Sequence, residues 1–557
     1  MVPSLVEVLR PVGQLVRACS VCLVLAPGAL HAQEQTSHAA HTAAAPARPA
    51  AAPGELPDIV KKPIALMPKA LGPYTRAIST KVPEAQAFFT QGMQMMFAFA
   101  KADAIRSFRA AWTADPDCAI CHWGEAWAWG SYLNEKMDAE DAPFAYAASR
   151  TALDLKSKAS PVERDYIDAL AVRYVKDFDP EQRRVQDEAY ADSMRRLSEK
   201  YPDDLDARTL YADALFLLEP RRGYRDATAP SVQRLHGVLE GILARDAKHP
   251  GACHLYVHAT ESTVRPDKAE FCAEYLGTSI PGASHINHMP SHTWNEVGRW
   301  GDSVRANLEA VHSDLKADIG EGFAIYPSHN LHMLLYAASM DGQGAIATTA
   351  GRDYVKRARG DTMYQVLTLI RFGRFDEVLE VKARPERPVP AGLWDFAQGY
   401  AFLRTGQADM ARLYLGRVRK GAETPKAEFR DHPASRLLGL VADLLEGEIL
   451  RDEQQLDAAI AKFESAVALD DALDYDEPEP LPFPARHWLG AALIDAKRFA
   501  DAERVYRRDL EQHPRNGWSL LGLQQAIEGQ GRTDAEVAAA LEKAWARADT
   551  WIRSSRF

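Results

Sequence analysis

Glycine and cysteine are scarce in this chain, with 34 and six in 557 residues. Such a glycine content, beside 46% hydrophobic and 26% charged residues, describes an ordinary folded chain rather than a low-complexity one. The prominence of Ala, Leu, Arg, Asp and Glu favours helices. A surplus of positive charge is also missing. The formal net charge is -11 and the pI near 5.9, which argues against a nucleic-acid partner, because neutralising phosphates needs a basic face. Long apolar runs are absent beyond the N-terminus, so no membrane span is expected in the mature chain. Three enzyme templates are missing too: a glycine-rich phosphate loop, a His-Glu-x-x-His helix and a Gly-x-Ser-x-Gly elbow. A reaction, if there is one, has to be built on something else.

The first residues have the form of a targeting segment. Arg10 and Arg17 precede a short apolar stretch, Ala18 to Leu30, and Ala32 offers a cleavage point. Residues 1–32 are expected to be a signal peptide, and residues 33–57, rich in Ala and Pro, a flexible leader. The mature protein is therefore expected in the periplasm or outside the cell. Cys19 and Cys22 leave with the signal, and an oxidising compartment permits Cys118, Cys121, Cys253 and Cys272 to pair, in a connectivity the sequence leaves open.

A length of 557 residues allows two or three domains or one long repeat array. Repeats decide between them. Ala104, Phe108, Ala111 and Pro116 recur in spacing at Ala502, Tyr506, Asp509 and Pro514, with partial copies at Gly399-Phe402-Gly406-Ala411-Leu415, Ala459-Phe463-Ala466 and Ala269-Ala273-Pro281. This is the spacing of the tetratricopeptide (TPR) repeat, a helix pair whose apolar face only a neighbouring pair can cover. The expected fold is an all-α, TPR-like α-solenoid. Pro385, Pro388 and Pro390 interrupt the helical pattern, which divides the expected array into residues 58–382, a Pro-rich linker at 383–392, and a C-terminal array at 393–557. A second interruption, Asp474 to Pro484, is expected to be a long loop that folds over the array.

Against that repeat, the histidines are out of proportion. His254, His258, His285, His288, His292, His329 and His332 crowd one region, and both His254 to His288 and His258 to His292 span 34 residues, one repeat. Equivalent positions on successive first helices lie side by side in a stacked solenoid. His254, His258 and Glu261 step by four and three, so they share a helix face. Converging imidazoles and a carboxylate are what a transition-metal site requires, with Cu, Zn or Fe as candidate ions. Glu261 is the candidate ligand or general base. The surplus over four ligands implies two ions or supporting partners. Pro290 complicates the register, because a helix starting there takes His292 but leaves His285 and His288 in the preceding segment. Without a metal, the same residues would line a concave groove for a protein or peptide partner or a small-molecule substrate.

Several strings resemble a known family: His254-Leu-Tyr-Val-His258-Ala-Thr-Glu261, His288-Met-Pro-Ser-His292, His329-Asn-Leu-His332, Arg371-Phe-Gly-Arg374 and Asn516-Gly-Trp518. They are similar to the markers of bacterial TPR-containing proteins, many with signal peptides, and the likeness runs from about Phe97 to Trp545. The resemblance implies the fold and the grouping of the histidines; it implies no reaction. One motif offers a different cofactor. Cys118-Ala-Ile-Cys121-His122 has the Cys-x-x-Cys-His form that attaches c-type haem.

Overall fold

The computed structural model describes residues 55–557 except 221–222. The signal segment and the leader as far as residue 54 lie outside the described residues. From Asp58 to Trp545 the chain is a succession of helices, and the only strands among the described residues are the two-residue pair Glu428–Phe429 and His432–Pro433. Successive helices pack on one another along nearly the whole chain: Pro83–Phe97 on Lys101–Ala114, Pro388–Arg404 on Ala408–Ala422, Ala434–Asp452 on Leu456–Asp470. The fold is an all-α, TPR-like solenoid.

Local chemistry sets the helix boundaries. Proline occupies the first turn at Pro83, Pro161, Pro230, Pro250, Pro290, Pro327 and Pro388, where its missing N–H costs no helical bond. Ser160 and Glu163 form a reciprocal capping box at the helix Pro161–Ala171. Repeat residues supply the packing. Ala104, Phe108 and Ala111, then Ala459, Phe463 and Ala466, then Ala502 and Tyr506, are all fully buried. Gly92 and Gly124 carry no Cβ because the Phe108 ring lies against both; a Cβ there would sit 2.6 and 2.4 Å from ring carbons.

Apolar packing falls into two large clusters, one running from Val60 to Tyr326 and one from Val304 to Val537. The proline-rich stretch does not separate them, which corrects the linker expected at 383–392. Val378 and Val389 belong to the same cluster, and Pro388 and Pro390 open the helix Pro388–Arg404. Proline fits there because a first turn needs no N–H donors from within the helix. Among the described residues, no helix is long and apolar enough to cross a membrane.

Candidate metal centre

Four helices carry the histidines. His254 and His258 stand on Pro250–Thr260, His285 and His288 on the single turn Ser284–His288, His292 on Pro290–Glu296, and His329 and His332 on Pro327–Met340. All seven are buried, none more than 4% exposed. Pro290 starts a new helix directly after Met289, and this break alters the register expected from the 34-residue spacing. His258 and His292 do face each other, with rings 5.2 Å apart, but His254 packs on His285 at 4.9 Å. His254 thus meets a histidine of the single turn before the break, 31 positions on rather than 34.

Two triads result. His254, His258 and His285 form one, and His288, His292 and His329 the other; within each, one potential ligand atom per residue lies within 4.8 Å of the others. Two rings of the first triad have their tautomers set by groups that can only accept. His254 Nδ1 lies 2.5 Å from the Phe97 carbonyl, which can only accept, so Nδ1 carries the proton. His258 Nδ1 likewise donates to Glu261 Oε1 at 2.7 Å. His285 Nδ1 meets His288 Nε2 at 3.0 Å. The Nε2 atoms of all three are buried without a hydrogen-bond partner. In a neutral ring with Nδ1 protonated, Nε2 is a lone pair, and leaving such an acceptor buried and unpaired costs about 1–3 kcal/mol. Burial, then the neighbouring rings, holds His254 and His285 well below the usual histidine pKa, so both are neutral and able to ligate.

Glu261 joins the triads. Its Oε1 accepts from His258 Nδ1 and its Oε2 from His292 Nδ1 at 2.5 Å. Burial would raise its pKa, yet the His292 and His258 rings hold it well below the usual carboxylate value, so it is ionised. Glu261 also stands with His258, His292 and Glu477 in a third group of potential ligands within 4.8 Å of one another, so its carboxylate is placed both to ligate, as its helix spacing suggested, and to orient the two rings.

His332 stands apart from both triads. Three residues beyond His329 on one helix, it is rotated by about 60°. Its Nδ1 accepts from Arg430 Nη1 at 2.7 Å, its ring stacks on Tyr364 at 4.1 Å, and Arg430 is paired with Asp476 at 2.6 Å. Asp476 belongs to the long acidic, proline-bearing loop, and so does Glu477, whose Oε2 lies 4.0 Å from His292 Nδ1. These loop contacts, and the Phe97 carbonyl, escaped sequence reasoning: a backbone oxygen leaves no trace in a sequence, and nothing local ties Glu477 to His292.

Two non-glycine residues beside the cluster adopt left-handed backbone. Phe99 has φ 57°, and its ring lies 4.2 Å from that of His254. Tyr326 has φ 59° and ψ 48°, its ring lies 5.0 Å from His285, and its hydroxyl meets that of Tyr132 at 2.7 Å. Such conformations are uncommon away from glycine and gather at functional sites. A small cavity of about 20 Å³, with Met96, Phe97, Phe99, Trp127 and His254 in its wall, opens beside the first triad.

The cysteines pair as Cys118–Cys121 and Cys253–Cys272. In the haem motif, then, the two sulfurs are bonded to each other, and His122 stacks on Trp112 at 5.1 Å. The second bridge ties Pro250–Thr260, which carries His254 and His258, to Glu270–Ser279. Met289 and Met333 are fully buried in packing, and Trp300 and Tyr336 stack together with Met340.

No family model matches the sequence, and no curated protein matches it. Solved structures do match. The human IFIT1 dimer with m7Gppp-AAAA aligns at 11% identity and TM-score 0.31, over 77% of this chain and 90% of that one. The Cut9–Hcn1 hetero-tetramer of the APC/C aligns at 12% and 0.30, over 83% and 90%. The TPR domain of P58(IPK) aligns at 12% and 0.21, over 83% and 99%. Scores this low carry no argument about function.

Proposed function

We propose that this chain is a transition-metal-binding protein, with an ion held by His254, His258 and His285. One observation carries the reading: each of the three rings offers a potential ligand atom within 4.8 Å of the others, their buried Nε2 atoms have no hydrogen-bond partner, and each ring's Nδ1 is already engaged. Imidazole ligands held at the second nitrogen by a carbonyl or carboxylate are the usual arrangement of metal-binding histidine. Neutral nitrogen donors suit Cu, Zn or Fe and disfavour Ca or Mg, which take oxygen. An ion also supplies positive charge beside Glu261, a buried carboxylate whose partners are imidazoles.

A peptide-binding scaffold is the weaker reading. The faces that present His292 and His332 are covered by the chain's own loop, through Glu477 and through Arg430 with Asp476. Export fits the metal reading, since disulfides at Cys118–Cys121 and Cys253–Cys272 need an oxidising compartment. The test is metal content of the purified protein, wild type beside a His254→Ala/His258→Ala variant. Loss of the ion with retained helicity is the expected result. A metal-free wild type that takes up neither Cu(II) nor Zn(II) after dialysis refutes the proposal.

A further inference from the structure

Resting on that reading, we infer that the second triad, His288, His292 and His329, is a metal site in its own right, and that the two sites form one coupled two-ion centre. His292 Nδ1 donates to Glu261, so the lone pair of a neutral His292 is on Nε2. That atom lies 3.4 Å from His288 Nε2. His288 Nε2 is in turn 3.0 Å from His285 Nδ1, whose proton it accepts when His285 keeps Nε2 free for the first ion. The two Nε2 atoms therefore face each other. Two imidazole nitrogens on one tetrahedral ion, each at about 2.0–2.1 Å, stand about 3.3 Å apart, so an ion of this kind fits the gap with little movement. The His329 ring completes the triad, 4.8 Å from His288 and 5.9 Å from His292.

Coupling follows from two shared groups. Glu261 orients one ring of each triad, His258 and His292. His288 Nε2 accepts from His285 in the empty site but must give its lone pair to the second ion. Filling the second site thus breaks the bond that orients His285 in the first. The structure assigns an order from this: the first triad, whose three Nε2 atoms are free, fills tightly, and the second fills with a weaker constant. Both take nitrogen-preferring first-row ions, Cu(II) or Zn(II). The cavity beside His254, of about 20 Å³, holds roughly one water, so any further ligand reaching the first ion from that side is of water or diatomic size.

Equilibrium dialysis against Zn(II) and separately Cu(II), with Ca(II) as control, tests this on the full mature chain. The expected result is two equivalents per chain for wild type, with the second at least tenfold weaker and no Ca(II) bound. His329→Ala should retain one tight equivalent, and His254→Ala should lose it; circular dichroism checks that both variants are folded. His329→Gln provides a second, milder removal should the alanine variant fail to fold. A wild type that binds one equivalent, unchanged by His329→Ala, overturns this inference and leaves the first site standing; a shared proton then occupies the His288–His292 gap. Two equivalents retained in His329→Ala place the second ion elsewhere and also overturn it. No bound metal in wild type overturns the first reading itself.

Discussion

Replacing Glu261 by glutamine tests the proposed metal site through the carboxylate that bridges its two histidine triads. The carboxylate accepts from His258 Nδ1 at 2.7 Å and from His292 Nδ1 at 2.5 Å. An amide of the same shape has one oxygen to accept and one NH2 that can only donate. One ring must therefore present Nδ1 as an acceptor, which moves its proton to Nε2, the atom that should face the ion. Loss of such an orienting partner costs about 10- to 100-fold in metal affinity, or roughly 1.4–2.7 kcal/mol. Competition with a chromophoric chelator measures this directly on the folded protein. Glu261→Asp, which keeps the charge but shortens the reach, should fall between wild type and Glu261→Gln. Unchanged affinity in a folded Glu261→Gln variant would refute the tautomer argument and with it the assigned role of this residue.

Three further outcomes are expected. Burial raises Asp314 to about 7, and only one of its oxygens is bonded, accepting from Asn330 at 2.9 Å. The folded state thus holds this proton more tightly than the unfolded chain does, so stability is full below pH ~4 and is lost as pH rises through 7, by up to about 4 kcal/mol. Asp314→Asn should flatten that slope in urea titrations from pH 4 to 8, and an unchanged slope refutes the assignment. Replacing Cys253 and Cys272 by alanine opens a loop with a sequence separation of 19 and should cost about 3 kcal/mol in metal-free urea unfolding; no loss means the bridge constrains little. Gly251→Ala places a Cβ 2.5 Å from the Phe97 ring. About 1–3 kcal/mol of stability should go, together with weaker binding at the first site, because the Phe97 carbonyl holds His254.

The sequence made the architecture legible because a repeat writes its packing rule many times. Ala104-Phe108-Ala111 and Ala502-Tyr506 carry the repeat spacing in the sequence and are buried in the structure. The histidine region was legible for the same reason, since 34-residue spacing means lateral contact, and His258 against His292 obeys it. Around the new helix that starts at Pro290 the pairing departs from the period, and His254 meets His285. His332 misled because a step of three suggests a shared face, while its partner, Arg430, comes from a distant turn. The prolines at 385–390 misled in the other direction, since proline breaks a helix interior but begins a helix comfortably.

Solenoids ordinarily grow outward from any nucleus, each repeat leaning only on its neighbours. The contacts around these histidines do not respect that locality: Phe97 closes on His254, and Glu477 approaches His292. Residues nearly four hundred positions apart surround the two triads, so a fragment ending before Glu477 carries the three rings of the first triad but not the whole chamber. Capture of a second, proposed ion is consequently expected later in the life of the nascent chain than capture of the first. The compartment in which the C-terminal loop first comes to rest, rather than the one in which the histidines are made, would then determine which ion is offered to that second site.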